Sequence, residues 1–235
     1  MNPDFWHERW HRGEIGWHQD AINLHLAEYW PRLQIARKAR VFVPLCGKSL
    51  DMLWLAARGH RVLGVELSPL AVASFFSENG LDPRVTDEPP FRRFAVDEIE
   101  ILCGDFFALI PAQLTGVTAV FDRASLIALP PEMRPRYVAH LKGLLDARTR
   151  VLLVTLDYDQ QEMKGPPFSV PEAEVRALFG GAFAVRRLAE ADVWAENPRF
   201  RQRGLSRLSE LVFELVPTPS SASESGRDWP MPPLS

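Results

Sequence analysis

Short apolar runs alternate with helical stretches along most of this chain. Residues 41–45 are the kind of apolar run that suits a strand buried on both faces of a parallel sheet. Leu50, Leu53, Trp54 and Ala57 then recur at helical spacing, with Gly59 placed to end the helix. Residues 61–67 predict a second strand. Ser68-Pro69 predicts a helix start, with a hydroxyl cap and proline in the first turn, and the helix continues through Val72 and Phe75-Phe76 to Gly80. Residues 91–103 hold two strand-like stretches around Asp97-Glu98, a hairpin feeding a strand at 100–103. Strands follow at 117–121, ending at Asp122-Arg123, and at 151–156. Helices are predicted from Pro131, carrying Tyr137, Val138, Leu141 and Leu144-Leu145, and at 171–179, stopped by Gly180-Gly181. Residues 183–188 and 208–216 read as closing strands.

Strands alternating with helices imply βαβ units, hence a doubly wound α/β fold with a largely parallel sheet. Ligands in such folds sit beyond the carboxyl ends of the strands. That rule directs attention to residues 45–49, Glu66, Asp105 and Asp122-Arg123. Residues 1–217 read as one domain. The segment 1–31 is dense in Trp and His (Trp6, Trp10, Trp17 and Trp30; His7, His11, His18 and His25), unlike the aliphatic body, and is expected to lie over the sheet. Residues 218–235 are Ser- and Pro-rich and are expected to be a disordered tail.

Composition narrows the function classes. Lys+Arg 27 against Asp+Glu 30 excludes a strongly basic nucleic-acid binder. Two cysteines, Cys46 and Cys103, exclude a disulfide scaffold and an all-cysteine metal site. With no apolar run near the ~20 residues a bilayer demands, and no secretory pattern at the N-terminus, a soluble, cytoplasmic protein is expected.

The first strand-to-helix turn, Val43-Pro44-Leu45-Cys46-Gly47-Lys48-Ser49, ends in Gly-Lys-Ser, but Phe42 stands where a phosphate loop needs its first glycine. The single Gly47 also falls short of a dinucleotide fingerprint, which points to an adenosine ligand without pyrophosphate. Glu66 lies 19 positions after Gly47, the spacing at which an acidic residue accepts hydrogen bonds from ribose hydroxyls; a solvated strand-end Glu is the alternative. Asp105-Phe106 offers an acceptor beside a flat apolar wall suited to adenine, or else a turn Asp and a core Phe. Arg123 suits an anionic ligand or nucleophile, or else a salt bridge with Asp122. Trp6 and Trp10, four apart, would ordinarily be core packing. His7 and His11 share that spacing, but no complete metal motif accompanies them.

Read together, Phe5-Trp6-His7-Glu8-Arg9-Trp10, Gly16-Trp17-His18-Gln19, Pro44-Leu45-Cys46-Gly47-Lys48, Gly64-Val65-Glu66-Leu67-Ser68, Asp122-Arg123-Ala124 and Gly165-Pro166-Pro167-Phe168 resemble the thiopurine S-methyltransferase family. The resemblance implies a class I methyltransferase fold with a seven-stranded sheet and an antiparallel last strand. It also implies transfer of a methyl group from S-adenosylmethionine to the sulfur of thiopurines and aromatic thiols. Its cofactor positions fall on Trp10, Leu45, Glu66 and Arg123, with Trp6, Gly47, Asp105 and Phe106 nearby. Its acceptor side falls on Trp17, Arg123, the loop carrying Pro166 and Phe168, and an arginine for which Arg203 is put forward over Arg199 and Arg201. The implied partner is a small thiol or thiopurine; a monomer is the default expectation, and the Trp-rich segment is expected to act as a lid. The implied mechanism is direct in-line displacement without a metal, and aromatic thiols ionise readily enough to need no indispensable general base. Alternatives from the same residues are a detoxifying methyltransferase of selenium or tellurium compounds, a dinucleotide-dependent oxidoreductase, and a noncatalytic binding protein.

Overall fold

The structure, a computed structural model, describes residues 3–16 and 18–218. Trp17, and residues 219–235 of the tail expected at 218–235, lie outside them. The strands are β1 (Arg40–Val43), β2 (Arg61–Glu66), β3 (Arg84–Glu88), β4 (Phe91–Val96), β5 (Ile99–Cys103), β6 (Val117–Arg123), β7 (Arg150–Asp157), β8 (Phe183–Asp192) and β9 (Ser209–Pro217). The helices are α1 (Pro3–His11), α2 (Leu24–Tyr29), α3 (Asp51–Ala57), α4 (Pro69–Glu78), α5 (Arg134–Leu144), α6 (Glu172–Phe179) and α7 (Pro198–Gln202).

Among the described residues the strands form one sheet in the order β3-β4-β5-β2-β1-β6-β7-β9-β8. The five strands from β5 to β7 are parallel, and β9 runs antiparallel between β7 and β8. Those seven are the expected sheet. The correction is at one end, where β3 and β4 add two antiparallel strands and make the sheet nine-stranded. The β4–β5 hairpin was expected; β3 was not, because Arg84-Val85-Thr86-Asp87-Glu88 is an edge strand with no apolar face to bury.

The unbroken apolar run at β1 has a simple cause. Phe42 faces a core shared with Tyr137 and Leu141 of α5 and Phe179 of α6, while Val41 and Val43 face Leu26 of α2, Met52 of α3 and Phe75 of α4. Both faces of the strand are dry, so no polar alternation is possible. Ser68 caps α4 as its sequence predicts, its hydroxyl accepting from the Ala71 N–H at 3.3 Å.

The expected covering segment 1–31 divides. α2 and the short 3-10 turn Trp30–Leu33 belong to the core: Leu26, Trp30 and Leu33 are buried, and the Trp30 indole N–H donates to His60 Nε2 at 3.0 Å. Asn23 caps α2, and its backbone N–H donates to Asp51 Oδ1 at 2.8 Å, fastening the segment to the start of α3. Trp6 and Trp10 of α1, with His18 and Gln19, line the cavities at the open end of the sheet.

Candidate active site

Two loops bring the first functional groups together. After β1 the backbone takes left-handed conformations at Leu45 (φ 48°) and Gly47 (φ 54°), and the Cys46 N–H donates to Val65 O at 2.9 Å. Left-handed geometry is costly for leucine, and a second non-glycine case, Ala124 (φ 68°), lies across the same cleft. At the end of β2, Glu66 points its carboxylate into this turn. Oε2 accepts from the Gly47 N–H at 2.9 Å and Oε1 from the Ser68 N–H at 2.8 Å. Burial pushes the Glu66 carboxyl above its ordinary pKa, and the backbone donors of Ser68, Gly47 and Leu67 pull it back. Each oxygen keeps acceptor capacity for a ligand hydroxyl.

A cleft of about 660 Å³ opens beside Glu66. One wall is Trp6 and Trp10 from α1 with Leu45, Gly47 and Leu67; the other is Ala124, Ile127, Ala128 and Leu129 with Pro166 and Pro167. Trp10 is buried over the turn, and a Cβ at Gly47 would stand 3.4 Å from its ring. The Trp6–Trp10 stripe is therefore cleft wall rather than interior packing. Pro166-Pro167 is held there because the Phe168 N–H donates to Ile127 O at 2.7 Å. Gly165 is required at this turn: its φ is 73°, and any Cβ would lie 2.4 Å from the Phe168 ring.

At the end of β6, Asp122 and Arg123 part company rather than pairing. Asp122 is fully buried; Tyr137 Oη donates to its Oδ2 at 2.6 Å, and Oδ1 has no hydrogen-bond partner among the described residues. Burial pushes its carboxyl up to about 6 from 3.8. Between those values the folded chain holds a proton that the unfolded chain has released. Its contribution to stability is therefore greatest below pH 3.8 and falls as pH rises through about 6, by on the order of 3 kcal/mol. Asp122→Asn keeps a carbonyl acceptor for Tyr137 and is expected to abolish this component. Urea unfolding of both proteins at about pH 4.5 and pH 7 measures it, and an identical pH dependence in the two would refute the assignment.

Arg123 turns the other way and lines two smaller spaces. One, of about 420 Å³, lies between Trp10, His18, Gly47, Lys48 and Asp51. The other, about 500 Å³, is bounded by Gln19, Thr155, Asn197, Arg199 and Glu210. Burial lowers the Arg123 pKa while Asp51 and Glu210 raise it, so the guanidinium stays charged between two carboxylates. The 500 Å³ cavity and the Glu66 cleft share a wall at Ala124, Ile127 and Pro167.

Several expected residues stand elsewhere. Asp105 is exposed and caps a 3-10 turn, its Oδ1 accepting from the Phe107 N–H at 2.9 Å; Phe106 is core, 4.8 Å between ring centroids from Tyr137. Neither borders the cleft, because the chain turns inward after β5. Phe168 packs on Gly165 with the Arg134 guanidinium over its ring, and so shapes the loop without lining the cleft. Arg203 is exposed at the end of α7, and Arg201 lies over Trp194 at 5.3 Å, whereas Arg199 reaches the 500 Å³ cavity. Sequence reasoning missed Gln19, Thr155 and Glu210, and singled out Arg199 only as one of three.

Comparison with known proteins bears directly on this arrangement. The family model described as thiopurine S-methyltransferase matches residues 1–217. The chain belongs to the thiopurine S-methyltransferase family. A relative named thiopurine S-methyltransferase from Pseudomonas fluorescens (strain Pf0-1) is 53% identical over 215 residues, covering 92% of this chain and 99% of its own. Another of that name, from Nitrosospira multiformis, is 55% identical over 216 residues, covering 92% and 98%. Among solved structures, an S-adenosylmethionine-dependent methyltransferase from Anabaena variabilis superposes with a TM-score of 0.65 at 13% identity, over 93% of this chain and 96% of its own. The 1,6-didemethyltoxoflavin-N1-methyltransferase of Burkholderia thailandensis, solved with S-adenosylhomocysteine, gives 0.61 at 19% identity, over 92% and 87%. These last two share the class I methyltransferase fold. In the thiopurine S-methyltransferase family, then, this chain sets a carboxylate-floored cleft against an arginine-lined cavity.

Proposed function

We infer that this chain transfers the methyl group of S-adenosylmethionine to the sulfur of thiopurines and aromatic thiols, giving an S-methyl thioether and S-adenosylhomocysteine. The observation that carries the reading is the shared wall between the two spaces: a donor beside Glu66 and an acceptor beside Arg123 and Arg199 would meet at Ala124, Ile127 and Pro167. Family membership and the names of relatives about half identical to this chain support the reaction class.

The residues present fit the cofactor. A buried carboxylate at the end of β2 suits vicinal ribose hydroxyls, a turn with one cleft-facing glycine needs no phosphate cradle, and two indoles suit a cation. When bound, S-adenosylmethionine supplies an electrophilic methyl group carried on a sulfonium. Glu66 fixes the sugar, with Leu45 and Gly47 shaping the turn beside it. Trp6 and Trp10 would face the positive centre and keep water from it. Arg123 would face the acceptor sulfur and favour the anion of an aromatic thiol, and Arg199 adds a second positive charge in the cavity. Holding the reacting atoms in line is worth ~7–11 kcal/mol, so the chain needs no metal or covalent nucleophile for its own part.

No helix among the described residues is long and apolar enough to cross a membrane. The reading is of a cytoplasmic enzyme that works as a monomer on small molecules and binds no nucleic acid; net charge −3 supports the last point. The deciding experiment is transfer of radiolabelled methyl from S-adenosylmethionine to 6-mercaptopurine and to thiophenol. Labelled S-methyl products are expected from both; no label in either would overturn the reading.

A further inference from the structure

The acceptor cavity holds one carboxylate whose task the mechanism leaves open. Glu210 is the second residue of β9, opposite Leu156 at the carboxyl end of β7, and it lines the 500 Å³ cavity together with Arg123 and Arg199. Its side chain is only 19% exposed, and its position is fixed: His25 Nε2, on α2, lies 2.8 Å from Oε2. With Glu210 ionised, that ring nitrogen donates the hydrogen bond. A plain arenethiolate offers a cavity carboxylate nothing but repulsion, so two guanidiniums alone would serve it better. A carboxylate beside guanidiniums matches a different ligand. It is the complement of a group that presents an N–H and a polarisable sulfur side by side.

We propose that Glu210 is the specificity-determining residue that accepts the ring N–H of a heteroaryl thione, with Arg123 facing its sulfur. The proposal rests on the methyltransferase reading above. Heteroaryl thiones, thiopurines included, carry their acidic proton on a ring nitrogen next to the C=S carbon. When sulfur attacks, its lone pair forms the new S–CH3 bond, and the donor's S–CH3 bond breaks with its pair moving to the departing thioether sulfur. The N–H bonding pair becomes the ring C=N, the C=S bond becomes a single bond, and the proton passes to the Glu210 carboxylate. The product leaves neutral, and Glu210 returns the proton to water on its exposed side. His25 is a positioning residue here, holding Oε2 so that the carboxylate is aimed before the acceptor arrives.

The charged groups facing Glu210 are Arg123 of β6, Arg199 of α7 and His25 of α2. A hydrogen bond to a charged acceptor is worth roughly 10- to 100-fold in selectivity. The test is Glu210→Gln, assayed on pyridine-2-thione, which has the adjacent N–H, and on thiophenol, which has none. The ratio of kcat/KM for pyridine-2-thione over thiophenol is expected to fall at least tenfold. A partly misfolded variant lowers both rates by one factor and cannot move the ratio. Calorimetry gives a second readout without turnover: the S-adenosylhomocysteine complex is titrated with pyridin-2-one, an N–H/C=O analogue. Pyridin-2-one is expected to bind the variant at least tenfold more weakly, and phenol with little change. An unchanged ratio, or pyridin-2-one binding unaltered in the variant, overturns the role of Glu210. Absence of turnover of either thiol by the unaltered protein would instead overturn the methyltransferase reading beneath it.

Discussion

Glu66→Ala is expected to weaken binding of S-adenosylhomocysteine about 10- to 100-fold, the value of a charge-assisted pair of hydrogen bonds to the ribose. The same change lowers thermal stability, because the Gly47 and Ser68 N–H groups lose their acceptor at 2.9 and 2.8 Å. The two effects separate in Glu66→Gln. An amide side chain keeps an acceptor for one backbone N–H but turns its own NH2 toward the other, so stability falls between wild type and alanine. Its single carbonyl cannot serve both ribose hydroxyls, so most of the affinity loss persists. Titration calorimetry and thermal unfolding measure the pair; unchanged affinity in either variant would remove Glu66 from the cofactor site.

Removing residues 1–20 is expected to reduce kcat/KM by about 10²-fold or more while leaving the body folded. The expectation follows from where α1 spends its contacts. Trp10 is its one buried residue, and both Trp6 and Trp10 face the cleft rather than the sheet. The anchor of the segment, the Asn23 N–H on Asp51, lies beyond the cut, as do Leu26 and Trp30 in the core. Losing the indoles leaves the cation unshielded and wet, whereas the stability of the sheet is untouched. Circular dichroism and steady-state kinetics on the shortened chain test it, and full activity would mean that α1 is not a lid.

Most of the fold was legible because its strands and helices are long enough to show their periods. β1, β2 and β6 each end at a residue that the ligand rule for doubly wound sheets had singled out or that now borders a cavity, and the 19-residue interval from Gly47 to Glu66 survives as a direct hydrogen bond. What escaped has physical causes. α2 was grouped with α1 because its aromatics resemble those of α1 in composition, and only packing distinguishes core from lid. β3 has no apolar face to betray it. The left-handed backbone at Leu45 has no glycine at its own position to announce it. Arg199 and Arg203 stand four apart around a helix of five residues, and composition cannot say which turn reaches inward. Glu210 reads as an ordinary polar position at a strand start, and its partner His25 is 185 residues away in sequence. Asp105 and Phe106 show the reverse case: a plausible pair whose aromatic member packs in the core while its acid caps a turn.

Among the described residues the nine-stranded sheet ends in two edge strands, β3 and β8. Along β3 the outward groups include Arg84, Asp87 and Glu88, and along β8 Arg186, Arg187, Glu190 and Asp192. Mixed charge at both rims discourages another copy from zipping onto the open backbone, because any register buries unmatched ions. Clearing these rims of charge is expected to give a variant more prone to aggregate.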